Sequence, residues 1–165
     1  MAGALMEERR FHLVLRSDES EYDDVANLWI WRLPSPIMLS NRLMQVFGLR
    51  HALLRISEQR WKVGLVNIVL PATRQFRRSP KMLVVGTPVA SSVSDGQAAT
   101  LAVFAASGLT TQQNYSPVHI TMFPVQLFRM HEFSLSLFDI DREPVQFATT
   151  APPFVVTLVF ASDLL

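Results

Sequence analysis

Residues 61–71 read WKVGLVNIVLP, and the reading of this stretch decides the fold class. A tryptophan opens it, a proline closes it, and between them Val63, Leu65, Ile68 and Leu70 are interleaved mostly with Gly64, Val66 and Val69 rather than with charges. A run so rich in β-branched residues, apolar on both alternating sets, is a strand covered on both faces or nearly so. It belongs inside a packed sheet, with Trp61, Val63 and Leu65 as core positions and Pro71 as the stop.

The flanking sequence says what kind of sheet. Residues 27–33, NLWIWRL, make another aromatic and β-branched run, which the Pro34-Ser35-Pro36 element is expected to end before Ile37, Met38 and Leu39 restart the chain. Further upstream, Phe11, Leu13 and Leu15 alternate with His12, Val14 and Arg16, the period of a strand with one wet face. Asp18, Glu19, Glu21, Asp23 and Asp24 follow with no cation among them; mutual repulsion keeps such a run in a solvated loop, and it lacks the ordered spacing and glycine of a calcium loop. Residues 41–58 change period: Leu43, Phe47 and Leu54, with Val46, Leu49 and Leu53, fall on overlapping helical faces, so a short helical insertion is expected there despite Gly48.

Downstream, Met82 to Val85 read as a strand turned by Gly86, Thr87 and Pro88, and further runs occupy residues 101–105, 118–123, 133–138 and 154–160. Many short strands, ten prolines and few helix signals indicate an all-β, antiparallel sandwich or barrel. At 165 residues and 49% hydrophobic side chains, one domain over residues 11–165 is expected, preceded by an arm over 1–10.

Composition narrows the function. The chain has no cysteine, which excludes disulfides, thiolate metal sites and thiol redox chemistry. Fifteen Lys and Arg against 14 Asp and Glu leave a net charge of +1, which disfavours nucleic-acid wrapping. Only 18% of residues are charged, against about 25% in ordinary soluble proteins, and mean hydropathy is +0.22. That balance points to surface covered by a partner. No run approaches the roughly 20 apolar residues of a membrane span, and Glu7, Glu8, Arg9 and Arg10 spoil a signal-peptide reading.

No motif for catalysis stands out. His12, His51, His119 and His131 are scattered without a ligand pair, and neither a nucleophile elbow nor a phosphate-cradling loop occurs. No metal, cofactor or enzymatic activity is expected. Arg74, Arg77, Arg78 and Lys81 flank Phe76 and Pro80 in a loop and are candidate contacts for an anionic partner, or an ordinary solvated loop. In DIDREPVQF, residues 139–147, Asp139 and Asp141 can accept from nearby amides, Pro144 presets the turn, and Val145 and Phe147 re-enter a sheet.

The order of these segments carries a resemblance. LPSPIML, then WKVGLVNIVLP, then a closing SLSLFDIDREPVQF hairpin leading into FVVTLVF, resembles the single jelly-roll penton proteins of icosahedral DNA viruses of the polinton, virophage and giant-virus lineage. Trp61, Val63, Leu65 and Pro71 match the central strand; Leu137, Asp139, Asp141, Pro144, Val145 and Phe147 match the hairpin. The resemblance implies an eight-stranded antiparallel single jelly roll that forms a homopentamer closing the five-fold vertices of a capsid. It further implies a place in the virion assembled inside the host cell, beside the major capsid protein and minor capsid or spike proteins. The alternatives are another single jelly-roll minor capsid or spike protein, a carbohydrate- or receptor-binding module using Trp29, Trp31 and Tyr22, or a cupin-like enzyme with a metal.

Overall fold

The structure, a computed structural model, describes residues 9–38, 61–72, 76–78, 80–91, 98–105, 112–125 and 129–162. The arm before residue 9 and the helical insertion expected over 41–58 lie outside them, as does Arg74. Within them the chain forms ten strands: β1 (Arg9–Arg16), β2 (Glu21–Asp23), β3 (Leu28–Met38), β4 (Trp61–Leu70), β5 (Met82–Ser91), β6 (Ala98–Ala105), β7 (Gln113–Tyr115), β8 (Phe123–Val125), β9 (Arg129–Phe138) and β10 (Val155–Ser162). The only helical element among them is a single 3-10 turn, Ser17–Glu19.

Every strand pairing is antiparallel. One arm of the sheet runs β1, β10, β4, with β7 and β8 end to end along the far edge of β4. The other runs β2, β3, β9, β5, β6. A single pair, Ala90 with Val125, joins β5 to β8 and makes the whole a continuous sheet. The pairing is nested: β1 lies with β10, β3 with β9, β4 with β7 and β8, and β5 with β6.

The sheet curls so that the inward faces of its arms meet. Phe133 of β9 packs edge-on to Phe160 of β10 with ring centroids 6.2 Å apart. Around them Val63, Leu65, Ile68, Leu83, Val85, Leu135, Leu137, Val156 and Leu158 are fully buried. At about 25 cal/mol per Å² of apolar area removed from water, this interior is the main stabilising element, as no disulfide is available.

The central strand behaves as its sequence requires. Its inward residues are buried, and Gly64, on the other face, is covered by the β7–β8 connection: a Cβ there would lie 2.5 Å from Ile120 Cγ2, 2.7 Å from Met122 Sδ and 3.0 Å from the Thr121 carbonyl oxygen. Only glycine admits that crossing.

Five expectations need correction. The acidic run is solvated but not all loop: Glu21–Asp23 form β2, exposed and paired with Leu28, Trp29 and Ile30 of β3. Pro34 and Pro36 do not end a strand; β3 passes through them, and its pairing with β9 skips from Arg32 to Ile37, so the prolines fall where no ladder amide is required. Gly86, Thr87 and Pro88 do not turn; β5 continues because Thr87 is buried and donates to the Ser134 carbonyl at 2.7 Å. Residues 118–123 are not a strand but mostly the segment over Gly64, between two short strands at 113–115 and 123–125. Finally, β1 starts at Arg9, so Arg9 and Arg10 are strand residues rather than the end of an arm.

Candidate functional site

The two stretches singled out in the sequence for chemistry, the hairpin over 139–147 and the basic loop before β5, come together at one corner. A lone bridge pairs Phe76 with Phe147, whose rings lie 4.8 Å apart. The Arg77 amide donates to the Gln146 carbonyl at 2.9 Å. Within the hairpin, Asp139 N donates to Glu143 O at 2.8 Å, Arg142 N to Asp139 O at 2.9 Å and Val145 N to Leu137 O at 3.1 Å. Arg142 takes φ 63°, the left-handed conformation that closes this turn.

Asp139 is the joint of the corner. Its side chain is 6% exposed, and Oδ1 accepts from the amides of Ile140 at 2.7 Å, Met82 at 3.1 Å and Lys81 at 3.2 Å; Oδ2 also receives the Lys81 amide at 3.3 Å. Burial alone raises the pKa of such a carboxyl, but the three amides and the charge of Arg78 outweigh it and hold Asp139 below the usual carboxylate range. The converging amides favour the ionised form, so the carboxylate serves as an anionic clamp rather than a proton donor.

The other candidates are dispersed. Trp61, Val63, Leu65 and Pro71 are buried on or just after β4 and act in packing; the Trp61 ring lies 5.6 Å from Phe11. Asp141 is exposed, unlike Asp139, and Pro144 forms a bridge with Phe138. Arg77, Arg78 and Lys81 are exposed on the corner, together with Asp141, Arg142 and Glu143, so their charge is interspersed with acids. Among the described residues no three His, Asp or Glu side chains gather as metal ligands.

The aromatic platform required by a sugar-binding reading is not intact. Trp31 is buried and donates its indole N–H to the Arg16 carbonyl at 2.6 Å. Trp29 is half-buried among Tyr22, Phe147 and Phe154. Tyr22 alone is exposed, and its hydroxyl is engaged with Asn27 Oδ1 at 2.8 Å.

The sequence holds one further signal, in its charges. From residue 96 to residue 128 there is no Asp, Glu, Lys or Arg. The fold places its described parts at one end of the molecule, where Phe104 of β6 stacks on Tyr115 of β7 at 5.1 Å and where Val103, Val118 and Ile120 are exposed. The opposite edge, with β1, the acidic loop and β2, is heavily charged and carries the ion pairs Arg16–Asp18 at 2.8 Å and Arg32–Glu21 at 3.2 Å.

No protein-family model matches the chain, and no curated protein matches it. Among the described residues no helix is long and apolar enough to cross a membrane.

Proposed function

We propose that the chain is a structural, self-assembling protein: a single jelly-roll penton protein that closes the five-fold vertices of an icosahedral viral capsid. The nested pairing of strands carries this reading. When the first strand lies with the last, and each inner pair repeats the relation down to β5 with β6, the chain is a long antiparallel ribbon folded back on itself, the double Greek key of a jelly roll. The cross-pairings β10–β4 and β9–β5 then wrap that ribbon into two four-membered groups, with β7 and β8 counting as one broken strand and β2 as an addition beside β3.

Two further observations agree. The hairpin that resembles the vertex family's closing turn is built around a buried carboxylate with three amide donors, a reason for that residue type at that place. The sequence carries no Asp, Glu, Lys or Arg over residues 96–128, and Val103, Val118 and Ile120 of that span are exposed, as expected of a protein that works in contact with others. In the proposed role, five copies join head to tail, each contacting the next through unlike flanks, and the ring sits beside the major capsid protein, with minor capsid or spike proteins as further neighbours. The role is mechanical, and the corner of Arg77, Arg78 and Lys81 is the place for an acidic neighbour.

Native mass measurement tests this. The reading expects assemblies whose mass is a multiple of five chains; a chain that forms only species with other stoichiometries, alone and with capsid protein, overturns it.

A further inference from the structure

Among the described residues one long sheet edge is left without protection. Among the described residues β6 pairs only with β5, so one row of its backbone N–H and C=O groups has no strand beside it. Natural sheets blunt such rows with charges or prolines. This chain does so elsewhere: β1 carries the exposed Arg10, His12 and Arg16, β2 carries Glu21 and Asp23, and β3 contains Pro34 and Pro36. Strand β6 reads AATLAVFA and has none of these.

We propose that β6 is a docking edge for β6 of a second copy, the two strands running antiparallel about a two-fold axis. Charge selects the occupant. Setting β6 against β1 or β2 of another copy places their charges beside a strand that offers no counter-charge, whereas β6 on β6 brings no charge to the contact.

Register selects it as well. The pairing with β5 skips Leu101, between Val85–Ala102 and Gly86–Thr100, and this bulge resets the alternation. Ala98, Thr100, Val103 and Ala105 are therefore exposed, while Ala99 and Leu101 are buried and Ala102 and Phe104 pack on the core. Aligning Ala98 with Ala105 of the second copy sets Thr100 against Val103, Ala99 against Phe104 and Leu101 against Ala102. Every outward residue then faces an outward one, and the inward Ala99 and Ala102 face the larger Phe104 and Leu101. A slip of one residue sets outward residues against inward ones.

The inference goes beyond the ring and does not rest on it. An isologous contact doubles whatever the chain otherwise forms: a monomer becomes a dimer, and a five-membered ring becomes a paired ring. Native mass of the full chain with Thr100→Lys and Val103→Lys together, both at exposed positions, is expected to be half that of the wild type; unchanged mass overturns the inference. Whether either mass is a multiple of five judges the ring separately. A conservative second variant guards against misfolding. The chain has no cysteine, and opposed residues in antiparallel strands lie about 4.5–5.5 Å apart at Cα, within disulfide reach. Thr100→Cys with Val103→Cys is expected to give a covalent dimer on mild oxidation, while Val14→Cys, exposed on β1, remains uncrosslinked under the same conditions. Equal yields from the two overturn it.

Discussion

Replacing Asp139 tests the joint on which the corner depends. In Asp139→Ala, the amides of Lys81, Met82 and Ile140 lose their acceptor together. Hydrogen bonds to a charged group contribute about 1.5–3 kcal/mol each, and an unsatisfied buried donor costs about 1–3 kcal/mol. Because the Lys81 side chain and Ile140 are exposed, water can reach part of the site, and the carboxylate's own desolvation is relieved when it is removed. The net expectation is a loss of about 2–4 kcal/mol, below the plain sum of three bonds. Asp139→Asn retains an oxygen at the Oδ1 position, where all three amides converge, and exchanges charged bonds for neutral ones, so about 1 kcal/mol is expected. Urea unfolding followed by the fluorescence of Trp29, Trp31 and Trp61 measures both. The wild type carries a pH signature too. A carboxyl whose folded pKa lies below its unfolded value of about 3.9 stabilises in full above that value, and the contribution is lost as pH falls below about 4 and through the folded pKa. Asp139→Asn therefore narrows its gap to the wild type as pH drops below about 4. Equal losses from Ala and Asn, or a gap independent of pH, would refute the clamp.

Other consequences are local. Gly64→Ala drives a methyl into Ile120, Met122 and the Thr121 carbonyl, so it is expected to destabilise by about 1–3 kcal/mol and to increase hydrogen exchange over residues 116–122; an unchanged exchange pattern contradicts the crossing. Asn27 holds φ 52°, donates from Nδ2 to the Leu137 carbonyl at 3.0 Å and accepts from Tyr22. Asn27→Gly keeps the backbone conformation and loses only those bonds, whereas Asn27→Ala loses both and is expected to unfold at lower urea by about 1 kcal/mol more; equal midpoints contradict the assignment.

Legibility followed locality. The strand at 61–70 could be read because its burial is written in consecutive residues, and the turn at 139–147 because Asp and Pro act over a few positions, whereas the left-handed φ of Arg142 had no signal in its residue type. The role of Asp139 could not, since two of its three donors lie 57 and 58 residues away. The prolines of β3 suggested a break because sequence does not reveal where a ladder skips. Val118 and Ile120 suggested a strand because apolar alternation looks alike whether it faces a core or, as here, leaves Val118 in solvent while Ile120 covers a glycine. The charge-free run was plain in the sequence, but its meaning arose only when the strand order gathered it at one end.

The central claim is that this ribbon of nested strands builds a vertex. Negative-stain images of the purified chain, classified by rotational symmetry, test it most directly: the account predicts rings with five lobes, and rings with three or six, or particles with no ring, would contradict it.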